Sequence, residues 1–167
     1  MNAATSMKMA VWGLIGGFIA TAIMDGVCAA FFAGVGMPVD LTYSFIGDAA
    51  ADFFSRTGLD MAGSRLLGTV VHFFIGTALG GLFGLTTSRV EVFRTDSLRK
   101  AVVLAVIYIE IVSQPIVASA PLLGKMTVPD IVNWYALSTG MHLIYAVVLA
   151  TILSWRRKPA VPLRCTV

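Results

Sequence analysis

Four long apolar stretches, each with one ionisable side chain well inside it, limit what this chain can fold into. The stretches run from Met9 to Val35, Leu66 to Ser88, Ala101 to Leu123 and Ile131 to Trp155, and the ionisable residues are Asp25, His72, Glu110 and His142. A spanning helix needs about 20 apolar residues, so each stretch is long enough to cross a bilayer. A charge at the centre of such a helix costs at least roughly 2.5–3.5 kcal/mol. Residues of this kind are therefore rare and turn towards a bundle interior. One on each helix predicts a shared internal site.

Composition supports the same reading. Charged residues make up 13% of the 167 and hydrophobic residues 57%, whereas a soluble domain carries about 25% charged residues. The four stretches use most of the chain and leave no room for a soluble domain. The expected fold class is all-α, a four-helix transmembrane bundle forming one membrane domain over residues 1–167. The first stretch is longer than the 7–15 residues of a signal-peptide core and contains Asp25, so it reads as a retained helix.

The formal net charge is +3, but the placement of the charges argues against a nucleic-acid partner. Four spans put both termini and the middle loop on one side. That side carries Lys8, Arg89, Arg94, Arg99, Lys100, Arg156, Arg157, Lys158 and Arg164, nine of the twelve basic residues. The other side carries Arg56, Arg65 and Lys125, together with Asp40, Asp48, Asp52, Asp60 and Asp130. The excess of basic residues marks the cytoplasmic side, which places both termini in the cytoplasm. The cysteines, Cys28 in the first span and Cys165 in the tail, fall at different depths and predict no disulfide.

The first external loop, Gly36 to Arg65, is too long for a simple connector. Phe45, Ile46, Ala49, Ala50 and Phe53 recur in it at helical spacing, with Asp48, Asp52 and Arg56 mostly on the other face. This predicts a short amphipathic helix at the outer interface. A folded cap over the bundle fits the pattern equally well, and a helix partner from another subunit is a third option. Thr127 and Asp130 resemble a capping box ahead of the last span, with Pro129 in its first turn. Trp134 and Tyr135 then fit an aromatic belt. Pro115 interrupts the third span and frees the carbonyl of Ile111, with Gln114 beside it.

Small residues recur at every fourth position around the ionisable groups. The runs are Gly13, Gly17, Thr21, Asp25, Ala29; Gly68, His72, Gly76, Gly80, Gly84; and Ser138, His142, Ala146, Ala150, Ser154. Such stripes let membrane helices approach closely. A rise of about 1.5 Å per residue puts Asp25, His72, Glu110, Gln114 and His142 roughly 9–20 Å below the outer ends of their helices. These five are the candidate ligand or proton layer. There is also a faint repeat. Leu67–His72 aligns with Leu137–His142, and each follows a span with one carboxylate, giving two hairpins that are each acid-then-histidine.

Four functions suit such a layer. It can be a hydrogen-bond network that specifies the bundle. It can bind or relay a proton, ion or small ligand, since histidine titrates near pH 6.5. It can hold a cofactor, with His72 and His142 as axial ligands to a haem b or as part of a transition-metal set. Or it can serve a homo-oligomer or a larger membrane complex as a subunit or assembly contact. No Walker loop, GxGxxG, HExxH or serine-triad spacing is present, so nothing points to a hydrolase or transferase.

Several of these residues together resemble the YagU-like family of small bacterial inner-membrane proteins. They are His72 with its Gly-rich helix, Gln114-Pro115, then Pro129, Asp130, Trp134 and Tyr135 leading to Gly140-Met141-His142, and the Trp155-Arg156-Arg157 helix end. The resemblance covers mainly the last three spans, while the first span and its loop depart from it. It implies a bacterial inner-membrane location and a connection to acid stress, and it assigns no catalytic residues.

Overall fold

In the computed structural model the described residues are 3–93, 97–124 and 126–157. Expectations for Arg94, Lys125, Lys158, Arg164 and Cys165 lie outside them. Five α-helices make up most of the chain: α1 (Ala3–Gly34), α2 (Leu41–Arg56), α3 (Arg65–Arg89), α4 (Leu98–Gly124) and α5 (Val128–Arg157), with a 3-10 turn at Glu91–Phe93. Four of them, α1, α3, α4 and α5, are long and apolar enough to cross a membrane. No more than 33% of the most apolar part of any of these is buried within the protein. Large apolar side chains such as Phe18, Phe74 and Ile111 point outwards. An outer surface of this kind is unsuited to water and suits hydrocarbon.

The helix ends are set by local chemistry. Ser64 caps α3, its hydroxyl accepting from the Leu67 N–H at 3.1 Å. Gly36 and Gly58 have positive φ and end α1 and α2. At each end the next residue's N–H bonds back across the turn, Met37 to Phe32 and Leu59 to Phe54, the Schellman pattern that favours glycine. Only half of the capping-box pattern forms at α5. The Asp130 carboxylate accepts from both the N–H and the hydroxyl of Thr127, at 3.3 and 2.5 Å.

Around the bundle the order is α3, α1, α5, α4. The α1–α3 contact is the most extensive, α1–α5 and α4–α5 are well packed, and the seam between α3 and α4 is the loosest. The α1–α3 contact is made by glycine. A Cβ at Gly13 or Gly17 would overlap backbone of α3 at Gly80 or Gly76, and one at Gly84 would overlap the Met9 carbonyl. Below the cavity described next, Phe83, Leu149 and Leu153 fill the core, with Ala146 and Ala150 behind them, all almost fully buried. An Arg156 guanidinium over the Trp12 ring, 3.6 Å from its centroid, ties the end of α5 to the start of α1.

The predicted loop helix exists as α2, and it lies against α3. Gly68 of α3 meets the Tyr43 carbonyl, and Gly47 of α2 meets the Ser64 carbonyl, both too close for a side chain. Asp40 and Arg65 form an ion pair that closes the ends of the loop.

Gly80→Val should destabilise the protein by about 1–3 kcal/mol, as overpacking does, because the added carbons meet backbone of α1. Gly26→Ala, where the added methyl meets nothing within 4 Å, should be neutral or mildly stabilising. Thermal unfolding of the two variants in one detergent checks the contrast.

Candidate functional site

The glycine seam brings the first pair of ionisable side chains together. Asp25 and His72 follow Thr21 and precede Gly76 on the contacting stripes, so the short aspartate arm reaches the ring. His72 Nε2 lies 3.0 Å from Asp25 Oδ1. The second pair forms between α4 and α5, with His142 Nδ1 3.2 Å from Glu110 Oε1. Ser113 Oγ lies 3.4 Å from the same nitrogen. Where the carboxyl group is ionised it only accepts hydrogen bonds, and the facing imidazole nitrogen is then the donor. Both pairs are mostly buried.

The other oxygen of Asp25 is taken by α2. Tyr43 donates its hydroxyl to Asp25 Oδ2 at 2.7 Å. Burial first, and then this hydrogen bond, push the Tyr43 phenol well above its ordinary value. Its proton therefore stays on the oxygen and keeps donating where a free tyrosine would ionise. A second contact, Cys28 Sγ to Thr42 Oγ1 at 3.7 Å, lies beside it.

Between the pairs is a cavity of about 150 Å³ lined from all five helices. Asp25, His72 and His142 line it, together with Thr21, Ser113, Ser138 and Tyr145, and the remaining wall is mainly aliphatic. Glu110 is not part of the wall and stands behind His142. Gln114, expected on the same face as Glu110, joins neither pair and is also absent from the wall. Of the five residues expected in one layer, four form two pairs on neighbouring helices and the fifth stands apart.

Trp134, expected in an aromatic belt, also makes contacts within the protein. Its indole N–H donates to the Val117 carbonyl at 2.9 Å, its ring packs on Phe45 of α2 at 5.1 Å between centroids, and it lines the cavity. The reason is Pro121. A helical carbonyl bonds to the N–H four residues on, and position 121 has none, so Val117 is left for Trp134. The signal was present in the sequence as a second proline in the third span. Tyr145 likewise reaches across the bundle and donates to the Gly76 carbonyl at 2.5 Å.

A bis-histidine haem does not fit this arrangement. Pockets for drug-sized ligands run to roughly 300–1,000 Å³, and the cavity is well below that. Nor do the groups gather as metal ligands. Among the described residues no three His, Cys, Asp or Glu side chains converge on one point.

Fold and site together define a four-span helical bundle with an internal chamber between two acid–histidine pairs. The chain matches no family model, no curated protein and no solved structure in comparison with known proteins.

Tyr43→Phe should lower stability by on the order of 1–2 kcal/mol, the value of a hydrogen bond to a charged or polar acceptor. A raised native pKa stabilises the fold below the unfolded tyrosine value of about 10 and does so progressively less as pH rises above it. The gap in thermal midpoint between parent and variant should therefore be flat near neutrality and shrink above about pH 10. For Trp134→Phe, the stranded Val117 carbonyl should cost about 1–3 kcal/mol. The same change in a Pro121→Ala background should cost less, because the new N–H satisfies that carbonyl. A double-mutant cycle by chemical denaturation measures the difference.

Proposed function

We propose that this protein is a bacterial inner-membrane protein, related to the YagU-like proteins, whose chamber binds a small ligand and exchanges protons with it through the two acid–histidine pairs. Both termini are cytoplasmic, and α2 lies at the outer interface as the cap of the chamber. The asymmetry of basic residues supports the orientation. The observation that carries the functional reading is that both histidines line one cavity, each held by a carboxylate of the neighbouring helix. A network that served packing alone would have no need of an open volume beside it, since protein interiors fill to crystal-like density.

Each part has a stated job. Asp25 and Glu110 orient the rings and balance their charge when protonated. His72 and His142 are the groups through which protons pass to and from the ligand. Tyr43 fixes Asp25 from α2. Ser113 and Ser138 offer hydroxyls to water or to a bound polar group.

Infrared difference spectra between about pH 5 and pH 8, where histidine titrates, test the reading on the purified protein. The parent should show imidazole and carboxylate bands. The double variant Asp25→Asn/Glu110→Gln, which keeps hydrogen-bonding shape without the acids, should lose them and lose ligand binding while remaining folded. If the variant binds and titrates as the parent does, the layer is a packing network and the proposal fails.

A further inference from the structure

The wall of the chamber is uneven. On α4, Tyr108, Val112 and Ile116 follow one another at four-residue intervals and form one row along the helix. At the level of Tyr108 the row is closed against α3: the hydroxyl donates to the Leu79 carbonyl at 3.4 Å, and the ring packs on Phe83 at 5.0 Å between centroids. Two turns further on, Ile116 lines the cavity and is also 46% exposed. Of the neighbouring spans, α3 and α4 pack least against each other. Above the cavity Thr42 and Ile46 of α2 form the roof. The chamber thus has a side window between α3 and α4, at the depth of the apolar outer surface.

The contents are limited by size and charge. An apolar cavity of roughly 150 Å³ takes a molecule the size of benzene. Asp25 and Glu110 each already hold a histidine, so the lining offers no free charge to a charged guest. It does offer polar contacts, because Nδ1 of His72 and Nε2 of His142 have no partner among the described residues, and Ser138 is nearby in the wall.

We infer that the chamber takes a neutral, membrane-soluble molecule of about one aromatic ring with a single hydrogen-bonding group, the phenol class, and that it enters sideways from the bilayer past Ile116. The inference rests on the chamber being a binding site, as proposed above.

Phenol is the probe, with the full chain in phospholipid nanodiscs. Replacing Trp12 and Trp155 by Phe leaves Trp134, in the chamber wall, as the reporter among the three tryptophans. Phenol should quench it saturably, and benzene should bind about tenfold more weakly for want of one hydrogen bond. Ser138→Phe, which fills the cavity, should abolish the saturable signal. Ile116→Ala should speed both binding and release in stopped flow and leave the Kd nearly unchanged, whereas Ile111→Ala, on the outward face, should alter neither rate. No saturable quenching in the parent, or quenching that survives Ser138→Phe, overturns the chamber as a binding site. Saturable binding with rates unchanged by Ile116→Ala overturns the sideways route alone. Equal affinity for benzene overturns the requirement for a polar group.

Discussion

An aspartate side chain spans only two rotatable bonds, so it reaches a residue on another helix only where the two backbones nearly touch. In this protein the glycines at 13, 17, 76, 80 and 84 create that approach between α1 and α3. Remove it and Asp25 loses His72. Tyr43, which reaches Asp25 from α2, is then left with an acceptor that has lost its other partner. The α4–α5 contact is built differently. Glutamate is one methylene longer, and Glu110 reaches His142 across a contact of alanines and larger side chains. The two pairs have similar chemistry and rest on different packing.

That difference shapes the interior. Packing is tight between α1 and α3 and loose between α3 and α4, and the free volume lies among all five helices. A symmetric bundle of two acid-then-histidine hairpins would have treated the α1–α5 and α3–α4 contacts alike. The structure keeps the pairing of each hairpin and gives up the equality of those contacts. The loop of 30 residues between α1 and α3, which has no counterpart between α4 and α5, supplies the helix that covers the result.

The spans were legible in the sequence because apolar length is a direct physical requirement of a bilayer, and the helices extend only a few residues beyond the expected bounds. The acid–histidine partnership was foreshadowed by the faint repeat, and the stripe of small residues indicated which faces meet. Tyr43 was not legible. It belongs to the loop helix, and nothing in local spacing says that this helix folds back to within a hydrogen bond of Asp25. The contacts of Trp134 were not legible either, because a tryptophan near a helix end fits a headgroup belt by composition, and only the tertiary position of the Val117 carbonyl supplies its partner. Gln114 shows the limit of sharing a helix face. One turn from Glu110, it joins neither pair and does not line the cavity.

Each carboxylate meets its histidine within its own hairpin, 47 residues on for Asp25 and 32 residues on for Glu110. For a chain delivered to the membrane from its N-terminus, this makes the two hairpins independent of each other. The first hairpin can neutralise its own acid before the second has been synthesised, and the second needs nothing from the first to do the same. Neither half has to hold an unpaired charge in hydrocarbon while it waits for the other.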